Sequence, residues 1–220
     1  MAAERVLQGM LSIETFPLGP FSTNAYLLIN ERGHAIVIDP GLSCSGLLQR
    51  LQGISLEAIL VTHGHFDHIG GVNPLRERTG APVYLHRLEV GRFTNAAQND
   101  SLDFADVTEP IACAPPEHML EPGTTLELLG ESFRVLHTPG HTSGSVSFLW
   151  QQHLFCGDLL FKNGIGKTGI RDSDLSTLQR SIHGLFTEFD DSTVVHPGHG
   201  SETTLGEERR NNSHLCTCPP

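Results

Sequence analysis

Between His63 and His68 the chain reads His-Gly-His-Phe-Asp-His, three imidazoles and a carboxylate within six positions. Imidazole and carboxylate together suit zinc and similar divalent ions, and such a set leaves a position open to substrate where a closed thiolate site does not. One catalytic zinc takes three protein ligands, so the fourth residue raises the question of a second ion. In an extended segment residues two apart face the same way, so His63 and His65 can grip one ion. Asp67 and His68 follow a bend and can point at another, although spacing alone leaves that division open. Three later segments each add one ligand-type residue: His141 in HTPGHTSG, Asp158 in FCGDLLF and His199 in HPGHG. Glycine or proline beside each lets the chain turn sharply and present the side chain at a sheet edge.

Such edges require strands that end there. Apolar alternation or short apolar runs predict strands at 11–16, 24–30, 34–39, 58–62 and 82–86, with Glu-Arg-Gly as the turn of a hairpin between the second and third. A further run of short strands follows at 124–129, 132–138, 145–150 and 153–157, and a last one at 192–196. Helical patterns are expected around 43–53 and 69–80. A third helix begins near Ser173 as N-cap, with Leu175, Leu178, Ile182, Leu185 and Phe189 on one face. Residues 95–118 lack periodicity and read as a long loop of the kind that forms lids or binding loops. Two sheets packed face to face with helices outside account for this order, in a single domain over 1–220.

Composition narrows the function. The net charge of -11, from 14 Lys and Arg against 25 Asp and Glu, works against a grip on phosphate backbones, so no nucleic-acid partner is expected. No basic segment leads into an apolar run at the N-terminus, and no window resembles a membrane span. Five scattered cysteines, Cys44, Cys113, Cys156, Cys216 and Cys218, read as free thiols in a reducing compartment, so a cytoplasmic location is expected. Cys156 reads as core, and the Cys216/Cys218 tail as a frayed end. Oligomeric state leaves no mark on the sequence. His137 and His196 stand just before ligand-bearing turns and read as structural. The Gly-Lys-Thr at 166–168 lacks the first glycine of a phosphate-binding loop, because Phe161 occupies that place.

The segments THGHFDH, TPGHT, GDLLF and PGHG, in this order, resemble the metallo-β-lactamase superfamily. Within it they are similar to the glyoxalase II group of hydroxyacylglutathione hydrolases, in the short single-domain bacterial form ending in GEERR. The resemblance implies an α/β (α+β) fold, a four-layer αββα sandwich. It implies two divalent metal ions: His63, His65 and His141 on the first, Asp67, His68 and His199 on the second, and Asp158 bridging both. Asp67 and Asp158 are then the carboxylates at the reacting centre. Asp39 in VIDPG either supports the ligands from behind or caps a turn. Lys167, in FKNGIGKTG, matches a lysine that contacts the glutathione carboxylate. Gly169 stands where the full-length enzymes carry a tyrosine, and only residues 200–220 follow the last ligand, so a C-terminal glutathione-binding helical domain is not expected.

Two ions can activate a bridging hydroxide and clamp the oxygens of an ester-like carbonyl under attack. Two ions, two ligand carboxylates and a hydroxide leave the centre at about +1, so an anionic substrate can be drawn to an acidic protein. The expected reaction is hydrolysis of a small anionic thioester such as S-D-lactoylglutathione. A mononuclear iron persulfide dioxygenase and a lactone or ester hydrolase are the alternatives. The ligand types fit zinc and are tolerated by iron and manganese.

Overall fold

The computed structural model describes residues 11–104 and 107–215. The first sheet is built from β1 (Ser12–Leu18), β2 (Thr23–Ile29), β3 (His34–Ile38), β4 (Ser55–Leu60), β5 (Val83–His86) and β6 (His118–Leu120), adjacent in that order. β1 to β3 pair antiparallel, and β3 to β6 pair parallel. Parallel neighbours need a crossover. Helix α1 (Ser45–Arg50) lies in the first crossover. The single turn α2 (Phe66–Ile69) and helix α3 (Val72–Thr79) lie in the second.

After α4 (Val90–Thr94) and β6, the chain builds β7 (Thr125–Leu128), β8 (Glu131–His137), β9 (Val146–Trp150) and β10 (His153–Gly157). A small hairpin of β11 (Leu160–Phe161) and β12 (Gly164–Ile165) and helix α5 (Leu175–Glu188) follow. Then come β13 (Val194–Pro197), β14 (Thr203–Thr204) and helix α6 (Leu205–Asn211). The second sheet has the order β14-β13-β10-β9-β8-β7.

Alternation along the strands sorts the core into layers. Ala25, Leu27, Ala35 and Val37 face one side, packed with Leu47 of α1 and Val72 and Leu75 of α3. Tyr26, Leu28, Ile36 and Ile38 face the other side and meet Phe133, Val135, Phe148 and Phe155 of the second sheet. Leu154, Cys156 and Val195 point outward from that sheet onto Leu178, Ile182 and Leu185 of α5 and Leu205 of α6. This is the four-layer αββα sandwich. Strands covered on both faces read as continuous apolar runs, which is why Tyr26 to Ile29 shows no polar alternation. Phe148 is fully buried between the sheets; truncating it to alanine is expected to lower the unfolding free energy by about 3–5 kcal/mol.

Several local expectations are corrected. The N-cap of α5 is Asp174, whose carboxylate accepts from the Thr177 N–H at 2.7 Å. Ser173 instead bonds back to Ile170. Leu175 precedes the buried stripe and is exposed, while Phe189 caps the other end and is partly buried. The long loop is interrupted by a helical turn at Ser101–Asp103, and its end joins the first sheet as β6. Helix α6 was not foreseen. Cys216 and Cys218 lie outside the described residues, among which Cys44, Cys113 and Cys156 are free thiols. No helix among the described residues is long and apolar enough to cross a membrane.

Candidate metal centre

β4 carries the chain to Val61 and Thr62, where the Thr62 carbonyl accepts from Val146 N–H of β9 at 2.9 Å and ties the two sheets together. His63 and His65 follow, His65 in an extended conformation, before α2 turns the chain and places Asp67 and His68 on the far side of the bend. His141 arrives on the loop between β8 and β9, Asp158 just past β10, and His199 just past β13. Five loops thus converge on one rim of the sandwich, the fifth being the turn after β3 that carries Asp39.

The seven residues meet as two groups. The ligand atoms of His63, His65 and His141 lie within 4.8 Å of one another, and so do those of Asp67, His68 and His199. His65 Nδ1 is 2.9 Å from His141 Nε2. Asp158 touches both groups. Its Oδ2 is 3.5 Å from His141 Nε2 and 3.6 Å from His199 Nε2, and its Oδ1 is 3.3 Å from His68 Nε2. Asp67 Oδ2 closes the second group at 3.3 Å from His199 Nε2.

Several atoms at this rim are left without partners. His63 Nε2, His68 Nε2 and Asp158 Oδ1 are buried and make no hydrogen bond among the described residues. Orphaned buried polar atoms are costly, and several aimed into one space fit a cation that all of them can ligate. The residues present therefore fit divalent metal. Asp39, His63 and His68 also fall within reach of a common point. The Asp39 carboxylate is committed elsewhere: Oδ1 accepts from Thr62 N–H at 2.8 Å, and Oδ2 accepts from Thr62 Oγ1 at 2.6 Å and faces His68 Nδ1 at 3.0 Å. It thereby fixes which His68 nitrogen turns to the centre.

Electrostatics separate the two groups. Burial, reinforced by His68, His65 and His141, pushes His63 well below the ordinary imidazole range. Burial and His141 bring His65 down to about 3 against the pull of Asp158 and Asp67. His68 shifts the other way: burial opposes its charge, but Asp67, Asp158 and Asp39 raise it well above the ordinary value. His199 is also raised, against burial, by its bond to Asp67 and by Asp158. The carboxylates respond in kind. Despite burial, His68 above all lowers Asp67 to about 2 and takes Asp158 below the usual carboxylate range.

Lys167 enters in two ways. Its ammonium is exposed and forms no ion pair among the described residues, while its main-chain oxygen lies 2.8 Å from His141 Nδ1. Other supports were not anticipated from the sequence. Thr23 Oγ1 donates to Asp67 Oδ2 at 2.8 Å, and the Phe21 carbonyl faces His199 Nδ1 at 3.1 Å. Asp100, in the left-handed region at φ 67°, sets Oδ2 3.6 Å from His65 Nε2. Nothing in the local sequence flags these residues, because each acts across a long separation. His137 and His196 are structural as expected: His137 Nε2 faces the Ser143 carbonyl, and His196 stacks on Phe155. Cys156 is buried, with its thiol pushed up to about 12 by burial.

Comparison with known proteins agrees with this architecture. The family model described as the metallo-beta-lactamase superfamily matches residues 18–199. The hydroxyacylglutathione hydrolase GloC of Haemophilus influenzae is 32% identical over 209 residues, covering 93% of this chain and 98% of that protein. The crystal structure of BLEG-1 B3 metallo-beta-lactamase superposes with a TM-score of 0.88 at 40% identity, covering 93% of this chain and 99% of that one. TTHA1623, solved in a di-iron-bound form, gives 0.80 at 39% identity, covering 90% and 98%.

Proposed function

The chain belongs to the metallo-beta-lactamase superfamily of metal-dependent hydrolases, and on that premise we propose that it is a dinuclear hydrolase of small anionic thioesters. The observation that carries the reading is Asp158, whose carboxylate reaches His141 of one group and His68 and His199 of the other. His63, His65 and His141 would hold one divalent ion, Asp67, His68 and His199 a second, with Asp158 within reach of both groups. Zinc suits this donor set, and so do iron and manganese; the likeness to a protein solved with two irons supports the count of two.

Bound there, two such ions acidify water and stabilise the oxygen charge that develops when an ester-like carbonyl is attacked. The protein's own part is to hold the ligands in place. Thr23 fixes Asp67, Asp39 orients His68, and the Lys167 carbonyl orients His141. The exposed Lys167 ammonium, on the loop that reaches His141, supplies a cation for an anionic group of the substrate. Asp67 and Asp158 would offset half the charge of two divalent ions and leave the centre positive toward an anionic substrate. Cys156 is excluded as a nucleophile by burial and by a thiol held near 12.

The thioester assignment draws on the GloC likeness, with S-D-lactoylglutathione as the first substrate to try. The BLEG-1 likeness makes a β-lactam the second arm. The test is metal content per chain followed by turnover of a thioester panel, a β-lactam and a glutathione persulfide. Two metals with thiol release support the reading. One iron with oxygen uptake on the persulfide, or turnover of the β-lactam alone, overturns it.

A further inference from the structure

Glu89 closes the helical turn Arg87–Glu89 that follows β5, and it is fully buried. It belongs to neither ligand group and forms no ion pair among the described residues. Its two oxygens divide between two loops: Oε2 accepts from the Gly64 N–H at 2.9 Å, and Oε1 accepts from the Gly144 N–H at 2.9 Å. Gly64 stands between His63 and His65, and Gly144 follows His141 by three residues. One carboxylate therefore joins the two segments that carry all three residues of the first metal group.

The contact is built for close approach. A Cβ on Gly64 would lie 2.7 Å from Arg92 Cβ and 3.2 Å from Glu89 Oε2, and a Cβ on Gly144 would lie 2.6 Å from Glu89 Oε1. Both positions are glycine so that the backbone can reach the carboxylate. Burying a carboxylate that forms no ion pair among the described residues is expensive, and the two N–H donors offset part of that cost. A glutamine of the same shape can accept only one of these bonds, since its NH2 group would face the other N–H.

We propose that Glu89 is a positioning residue for the first metal, setting the separation of His63 and His65 from His141. The inference rests on the reading that these three histidines hold metal. The test is zinc titration of the metal-free protein against a chromophoric chelator, with and without Glu89→Gln, in the full chain and in a His199→Ala background that leaves the first site to be read alone. Glu89→Gln is expected to weaken the first binding step by about 10–100-fold, leave the second unchanged, and lower kcat more than it raises KM. Melting of the metal-free protein provides the structural control. An unchanged titration, or equal weakening of both steps together with a lower melting temperature, overturns the proposal. Should Glu89→Gln not fold, Gly144→Ala disturbs the same contact from the other loop and is expected to give the same selective loss; uniform loss overturns the proposal there too. A wild-type chain that binds no zinc instead removes the metal reading on which the proposal stands.

Discussion

The Nδ1 of His141 lies 2.8 Å from the main-chain oxygen of Lys167, so a proposed metal ligand and the proposed substrate loop share one hydrogen bond. With Nε2 turned to the centre, Nδ1 is the donor, and the carbonyl fixes the tautomer. A shift of the loop would therefore reach the His141 ring directly.

Gly166 tests this coupling. A side chain there would collide with the main-chain oxygen of Asp158. Gly166→Ala is expected to displace the loop from Asp158, loosen His141, lower kcat/KM by about tenfold or more and lower the melting temperature of the metal-free protein as well. Steady-state kinetics beside thermal melts would show it, and a fully active variant would break the link between loop and ligand.

At its far end the same loop is held by Arg92. This buried guanidinium donates to the Arg171 carbonyl at 2.7 Å and to Asp172 Oδ2 at 3.2 Å. Arg92→Met should free the loop and raise KM several-fold with a smaller change in kcat. Asp172→Asn should do less, because its side chain is largely exposed and the bond to Arg171 remains. The order of the two KM values is the measurement.

Asp39 is a support that can be removed without changing the backbone demand. Its φ of 49° is left-handed, a conformation asparagine accepts. Asp39→Asn keeps that turn but weakens the charged bonds to Thr62 and His68, and it is expected to cost the second metal about 10–100-fold in affinity. Metal titration with the first site intact would detect the difference.

Removing the bridge should be the most damaging change. Asp158→Ala is expected to lower turnover at least about a hundredfold and to reduce bound metal from two ions toward one. Metal analysis of the purified variant with single-turnover kinetics checks both, and near-normal turnover would refute the bridging role.

Acidification should remove one metal before the other. In the metal-free protein His63 and His65 are held neutral by burial, ready to bind, whereas His68 and His199 are held protonated by Asp67 and Asp158. A raised histidine keeps its proton up to its own pKa, so metal at the second group must displace protons that metal at the first need not. Binding there should release protons, and affinity should fall about tenfold per displaced proton for each pH unit below that pKa. Zinc stoichiometry measured from about pH 8 down to about pH 5 should pass through a one-metal state. Simultaneous loss of both ions would contradict the assignment.

The sequence alone determined the layer pattern and the converging residues, because both are written locally. Apolar runs broken by turns marked out the doubly covered strands, and each ligand-type residue sat beside a glycine or proline within a few positions. What it misjudged was also local: Asp174 takes the N-cap expected of Ser173, because the chain enters α5 one residue later. Only the tertiary structure decided what stands behind the centre. Thr23 is 44 positions from Asp67, Glu89 is 55 from Gly144 and Arg92 is 80 from Asp172. A buried donor must find an acceptor, but which one depends on how the crossovers of two sheets bring distant loops to one rim. No spacing rule along the chain carries that information.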